Sequence, residues 1–82
     1  GDANNKDNAV IVFNLPNQVG ALANVLRIFA QRDINLTKID SMPSGNFEEY
    51  VFYLSFNKND VRDQDELFEE LVDRSKNIVQ LQ

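Results

Sequence analysis

AVIVFNLPNQVGALANVLRIF, residues 9–29, changes its apolar rhythm halfway along. Residues 9–15 form a compact β-branched and aromatic run that stops at Pro16, a residue unable to donate to a sheet ladder. Its near-continuous hydrophobicity predicts a strand in the middle of a sheet. Pro16, Asn17, Gln18, Val19 and Gly20 then make a turn, with Asn17 as the expected N-cap. From there Leu22, Val25, Leu26 and Phe29 fall at i, i+3, i+4 and i+7, one face of a helix. Ala21 and Ile28 widen that face, Arg27, Gln31 and Arg32 supply a wet side, and the helix is expected to end near Arg32.

Further on, residues 34–42 alternate apolar and polar side chains, with one slip between Leu36 and Ile39 that a β-bulge reconciles. Pro43, Ser44, Gly45 and Asn46 read as a loop, and residues 50–56 (YVFYLSF) as a strand that residues 47–49 extend. Together they predict an antiparallel hairpin. Alternation puts Phe52, Leu54 and Phe56 on the core face and Tyr53 and Ser55 on the other. Asp63 and Glu66 have capping-box spacing ahead of a second helical stripe, Leu67, Phe68, Leu71 and Val72. Ile78, Val79 and Leu81 make a short last strand.

The resulting order is βαββαβ. Each helix has a single apolar face, so both must cover the same side of one sheet, and right-handed crossovers give a ferredoxin-like α+β sandwich. Its sheet is four-stranded and antiparallel in the order 4-1-3-2. Residues 1–8 (GDANNKDN) are small and polar and read as a disordered tail, which leaves one domain over residues 9–82. Gly1 in place of methionine fits a piece of a longer protein.

Composition narrows the chemistry. Among the 82 residues there is no cysteine, histidine or tryptophan. Disulfides and thiolate metal sites are therefore excluded, and so is a serine–histidine nucleophile pair. A net charge of −5 disfavours nucleic acid and anionic membrane surfaces as partners. No apolar run approaches a membrane span. The domain is small enough that burying more apolar surface against a second copy would add useful stability.

Three segments invite a functional reading. Residues 60–73 hold seven carboxylates: Asp60, Asp63, Asp65, Glu66, Glu69, Glu70 and Asp73. They lack the ligand spacing and central glycine of a calcium loop, and a solvated helix face accounts for them better. Phe47, Tyr50, Phe52, Tyr53 and Phe56 resemble a base-stacking platform, but basic residues nearby are few and Phe52 and Phe56 point to the core. The turn ending in Gly20 is the informative one. Free amides at a helix start favour an anion, and glycine permits close approach to the backbone. By geometry alone, a glycine required only for packing is the stronger reading of that position.

Val19-Gly20-Ala21-Leu22, followed by Asn35-Leu36-Thr37-Lys38-Ile39-Asp40-Ser41-Met42-Pro43-Ser44, resembles the ACT domains of aromatic amino acid hydroxylases and prephenate dehydratases. Those carry a glycine–alanine–leucine motif at the first helix and, about twenty residues later, an isoleucine–glutamate–serine–arginine–proline motif on the second strand. The resemblance covers residues 10–81. It implies a regulatory domain without catalytic residues, joined side by side to a second copy in an eight-stranded sheet. It also implies that L-phenylalanine, or a related aromatic amino acid, binds at that homodimer interface and controls an attached catalytic domain. Carried onto this chain, Val19, Gly20, Ala21 and Leu22 form one wall, with Leu22 and Leu36 against the aromatic ring. Asn35, Leu36, Thr37, Lys38 and Ile39 form the other. No cofactor is expected in this domain; non-haem iron and tetrahydropterin belong only to an attached hydroxylase domain. The expected setting is cytoplasmic. Residues 18–22 and 25–29 look closer to the phenylalanine hydroxylases, whereas Lys38 and residues 50–52 look closer to the prephenate dehydratases. Asp40 stands where the family has glutamate and Met42 where it has arginine, so a bidentate anion partner is missing.

Overall fold

The computed structural model describes residues 7–45 and 48–81. Most of the proposed tail, together with Phe47 of the proposed strand extension, lies outside the described residues. Strand β1 (Asn8–Pro16) leads to helix α1 (Ala21–Gln31), then to strands β2 (Leu36–Pro43) and β3 (Glu49–Asn57), helix α2 (Gln64–Arg74) and strand β4 (Lys76–Gln80). The sheet order is β2-β3-β1-β4 with every neighbouring pair antiparallel, which is the expected ferredoxin-like arrangement.

β1 is central, as its composition predicts, and it is buried on one face. Ala9, Ile11, Phe13 and Leu15 are buried under the helices, while Val10, Val12 and Asn14 are half-buried on the other side. Pairing carries this alternation across the sheet: Ile11 faces Leu54 and Phe13 faces Phe52, and their rings stack 6.0 Å apart. Val12 faces Tyr53 on the open side. The core closes with Val25, Ile28 and Phe29 from α1 and Leu67 and Leu71 from α2. The slip in β2 is a register shift between Leu36 and Lys38 against β3, as expected. Beyond it Ile39 and Ser41 face the helix side, while Lys38, Asp40 and Met42 face the open side.

The helix ends depart in part from their local sequence signals. α1 starts at Ala21 behind an N-cap at Gly20, not at Val19 behind Asn17, because Gly20 adopts φ +91° and closes the turn itself. The amide of Asn17 instead donates to the carbonyl of Glu48, 2.7 Å away, tying the turn to the start of β3. At the other end the chain reverses through Asp33 in the left-handed region (φ 57°). The Ile34 amide donates to the Phe29 carbonyl (2.9 Å) and the Asp33 amide to that of Ala30 (3.1 Å), a Schellman closure that drives Ile34 into the core rather than into β2. An L-residue in that conformation costs about 1–2 kcal/mol. Aspartate bears less of that cost than most L-residues, so Asp33→Gly is expected to change stability by no more than about 0.5 kcal/mol after the added chain entropy, read as a small shift in urea midpoint at unchanged slope.

The capping box at α2 is half realised. The Asp63 carboxylate accepts from the Glu66 amide at 3.0 Å. The Glu66 side chain does not return to Asp63; it pairs with Arg32 at 3.0 Å. Arg32 also grips Glu70 through Nη2 at 2.6 Å and Nε at 3.2 Å. Read from sequence as part of a wet face, it clamps α1 to α2. Glu70 first, and then Glu66, hold its guanidinium above its ordinary pKa.

Candidate functional site

The sharp turn after Pro16 leaves the start of α1 without a side-chain cap among the described residues. The Ala21 amide turns back to the Gln18 carbonyl (3.1 Å), and the Asn24 amide makes the first full helical bond, to Gly20 (2.9 Å). Helix geometry gives the amides of Leu22 and Ala23 no intrahelical acceptor. Val19 is fully exposed, and nothing lies within 4 Å of a Cβ placed on Gly20. Glycine is thus required here by backbone conformation and not by tight packing. Ala21 and Leu22 are half-buried and rest on the core.

The second set of expected residues lies on or just before the edge strand. Asn35 is exposed, and its amide donates to the Asp60 carboxylate at 3.4 Å. Leu36 is half-buried against the core. Thr37, Lys38 and Ile39 are exposed, Ile39 at 46% although it faces the helix side. Lys38 pairs with Asp40 two residues along the same strand, at 3.4 Å.

One copy does not bring these two sets together. Leu36 lies across from Phe56, which lies across from Ala9 at the beginning of β1. The turn containing Gly20 follows Pro16, at the other end of β1. At the rise of an extended strand, the two sets are roughly 20 Å apart along the sheet. Two grooves on the helical layer lie elsewhere. One of about 220 Å³ is lined by Asn24, Arg27, Ile28, Gln31, Glu70 and Arg74, none of them among the nine expected residues.

Sequence reasoning carried over the motif at residues 39–43 without its orientation. Met42 points to the open side, 47% exposed and across from Val51. The bulge expected between Leu36 and Ile39 sets which β2 side chains face which way, and pairing to β3 fixes its position between Leu36 and Lys38. The acidic residues of α2 mark its first turn and its contact with Arg32. Among the described residues no group of three or more His, Cys, Asp or Glu side chains is arranged to hold a metal ion. No described helix is long and apolar enough to cross a membrane.

The βαββαβ sheet thus carries a glycine turn without a side-chain cap at one end and, along one edge, a strand paired only on its inner side among the described residues. Residues 9–74 match the ACT domain family, and the chain belongs to that family. It is 48% identical over 59 residues to phenylalanine-4-hydroxylase of Rattus norvegicus, covering 70% of this chain and 13% of that protein. Prephenate dehydratase of Methanocaldococcus jannaschii is 47% identical over 51 residues, 60% of this chain and 19% of that protein. A solved structure described as a novel type of quorum quenching acylase superposes with a TM-score of 0.77 at 25% identity, over 90% of this chain and 39% of that one. The chain spans less than a fifth of the two curated relatives.

Proposed function

We propose that this domain senses L-phenylalanine, or a closely related aromatic amino acid, at a side-by-side homodimer interface and thereby controls an attached catalytic domain. The observation that carries this reading is the separation of the two candidate walls. Val19, Gly20, Ala21 and Leu22 sit at one end of the sheet; Asn35, Leu36, Thr37, Lys38 and Ile39 begin at the other, on an edge strand with no partner on its outer side among the described residues. Antiparallel pairing of β2 with β2 of a second copy sets the Leu36 end of one beside the Gly20 end of the other. The amides of Leu22 and Ala23 suit the amino acid's carboxylate, and Leu22 and the second copy's Leu36 suit its ring. The complete site exists only in the dimer, so ligand favours association by its affinity for that state.

The module's relatives perform three different chemistries by name, which supports placing catalysis outside it. The attached enzyme in this reading is a phenylalanine hydroxylase, with a prephenate dehydratase as the alternative. Iron and tetrahydropterin would be held by the hydroxylase domain. Sedimentation of the 82-residue chain with and without L-phenylalanine, paired with calorimetry, tests the reading. The expected result is a saturable shift from monomer to dimer accompanied by heat of binding. No heat and no change in association overturn it. One observation favours a second reading, a dimerisation module without ligand: Met42, in the position of the family's arginine, offers no anion partner. That reading predicts a stable dimer indifferent to amino acids.

A further inference from the structure

The outer edge of β2 restricts how a second copy can pair with it. This inference rests on the dimer reading above and specifies the contact it leaves open. In antiparallel strands, directly opposed residues share a face. A two-fold axis normal to the sheet therefore sets one β2 residue opposite its own copy, with residues equally spaced on either side opposite one another. Lys38 and Asp40 project from the same open face, 68% and 57% exposed, with Ile39 between them on the helix face. An axis at Lys38 opposes two ammonium groups, and an axis at Asp40 opposes two carboxylates; both are destabilising. An axis at Ser41 leaves Asp40 opposite Met42 and Ile39 opposite Pro43, which has no N–H to donate.

We infer that two copies pair through β2 with the two-fold axis at Ile39, so that Lys38 of each strand opposes the partner's Asp40 and Ile39 packs on the partner's Ile39. The charges then form two cross-strand pairs on the open face. An isoleucine left half-exposed in one copy is covered on the helix face, and charge repulsion disfavours the neighbouring registers.

The chain has no cysteine, so single cysteines report the register directly. Opposed Cβ atoms lie about 4.5–5.5 Å apart, close enough to oxidise with a small adjustment. In the dimer formed with L-phenylalanine, I39C is expected to cross-link at least about tenfold faster than K38C or D40C, because only residue 39 meets its own copy. K38D and D40K should each weaken association by up to about tenfold, and the K38D/D40K double variant should restore it. The register is overturned, with the dimer left standing, if sedimentation shows a dimer in which K38C or D40C cross-links fastest. It is likewise overturned if none cross-links or if the double variant behaves as the sum of the singles. A chain that stays monomeric with saturating L-phenylalanine overturns both the register and the reading beneath it.

Discussion

Phe13→Ala is expected to cost about 3–5 kcal/mol, the largest stability loss of any substitution considered. Phe13 is completely buried on the central strand, its ring stacked on Phe52. Removing it takes away the hydrophobic transfer term and leaves a hole that β1 cannot collapse to fill, because β3 and β4 hold it on both sides. Folded domains typically hold only about 5–15 kcal/mol in total, and one of this size should lie toward the low end. The variant should therefore be partly unfolded at room temperature, seen as a collapsed urea midpoint. Val12→Ala, one residue away on the open face, provides the contrast. Val12 is only half-buried, so its loss should cost no more than about 1 kcal/mol. If Val12→Ala proved the more damaging of the two, the division of β1 into a core face and an open face would be wrong.

The second large effect is functional and lies at Gly20. Its φ of +91° is a conformation that L side chains rarely adopt, and a β-branched residue least of all. Gly20→Val should therefore lose at least about 1–2 kcal/mol of stability through backbone strain, with no clash contributing, since the space around a Cβ there is open. It should also weaken the association driven by L-phenylalanine, because the side chain would fill open space beside the turn that the proposed ligand wall uses. Gly20→Asn separates the two effects. Asparagine tolerates the left-handed region, so most of the stability should survive while the ligand response weakens. A full calorimetric response in the asparagine variant would remove the glycine turn from the ligand wall.

The fold was legible because its signals are local and repeated. The change from a strand run to a helical stripe at Pro16, the stripe at Leu67 and Leu71, and the slip at Thr37 each follow from side-chain spacing along one element. Each reappears in the structure within a residue or two. Less was visible where two elements compete for one residue. Glu66 was read as a partner of Asp63, but a guanidinium from another helix offers a charged hydrogen bond that a backbone amide cannot match, and the side chain turns to Arg32 instead. Asn17 has the composition of a cap, but its turn is closed by Glu48 across the sheet and by the conformation of Gly20.

By itself, the order and spacing of apolar residues determined that this chain makes a four-stranded sheet covered on one side by two helices. The paired motifs at residues 19–22 and 35–44 marked where a ligand was to be sought. Only the tertiary structure showed that Asn35 and Leu36 lie at the end of the sheet away from residues 19–22 while Pro43 returns to the near end, with Ile39 and Met42 exposed along an open edge. The reason is that periodicity records which way a side chain faces within its own element. The distance between elements, and the partner an edge strand lacks, depend on how the chain returns through β3.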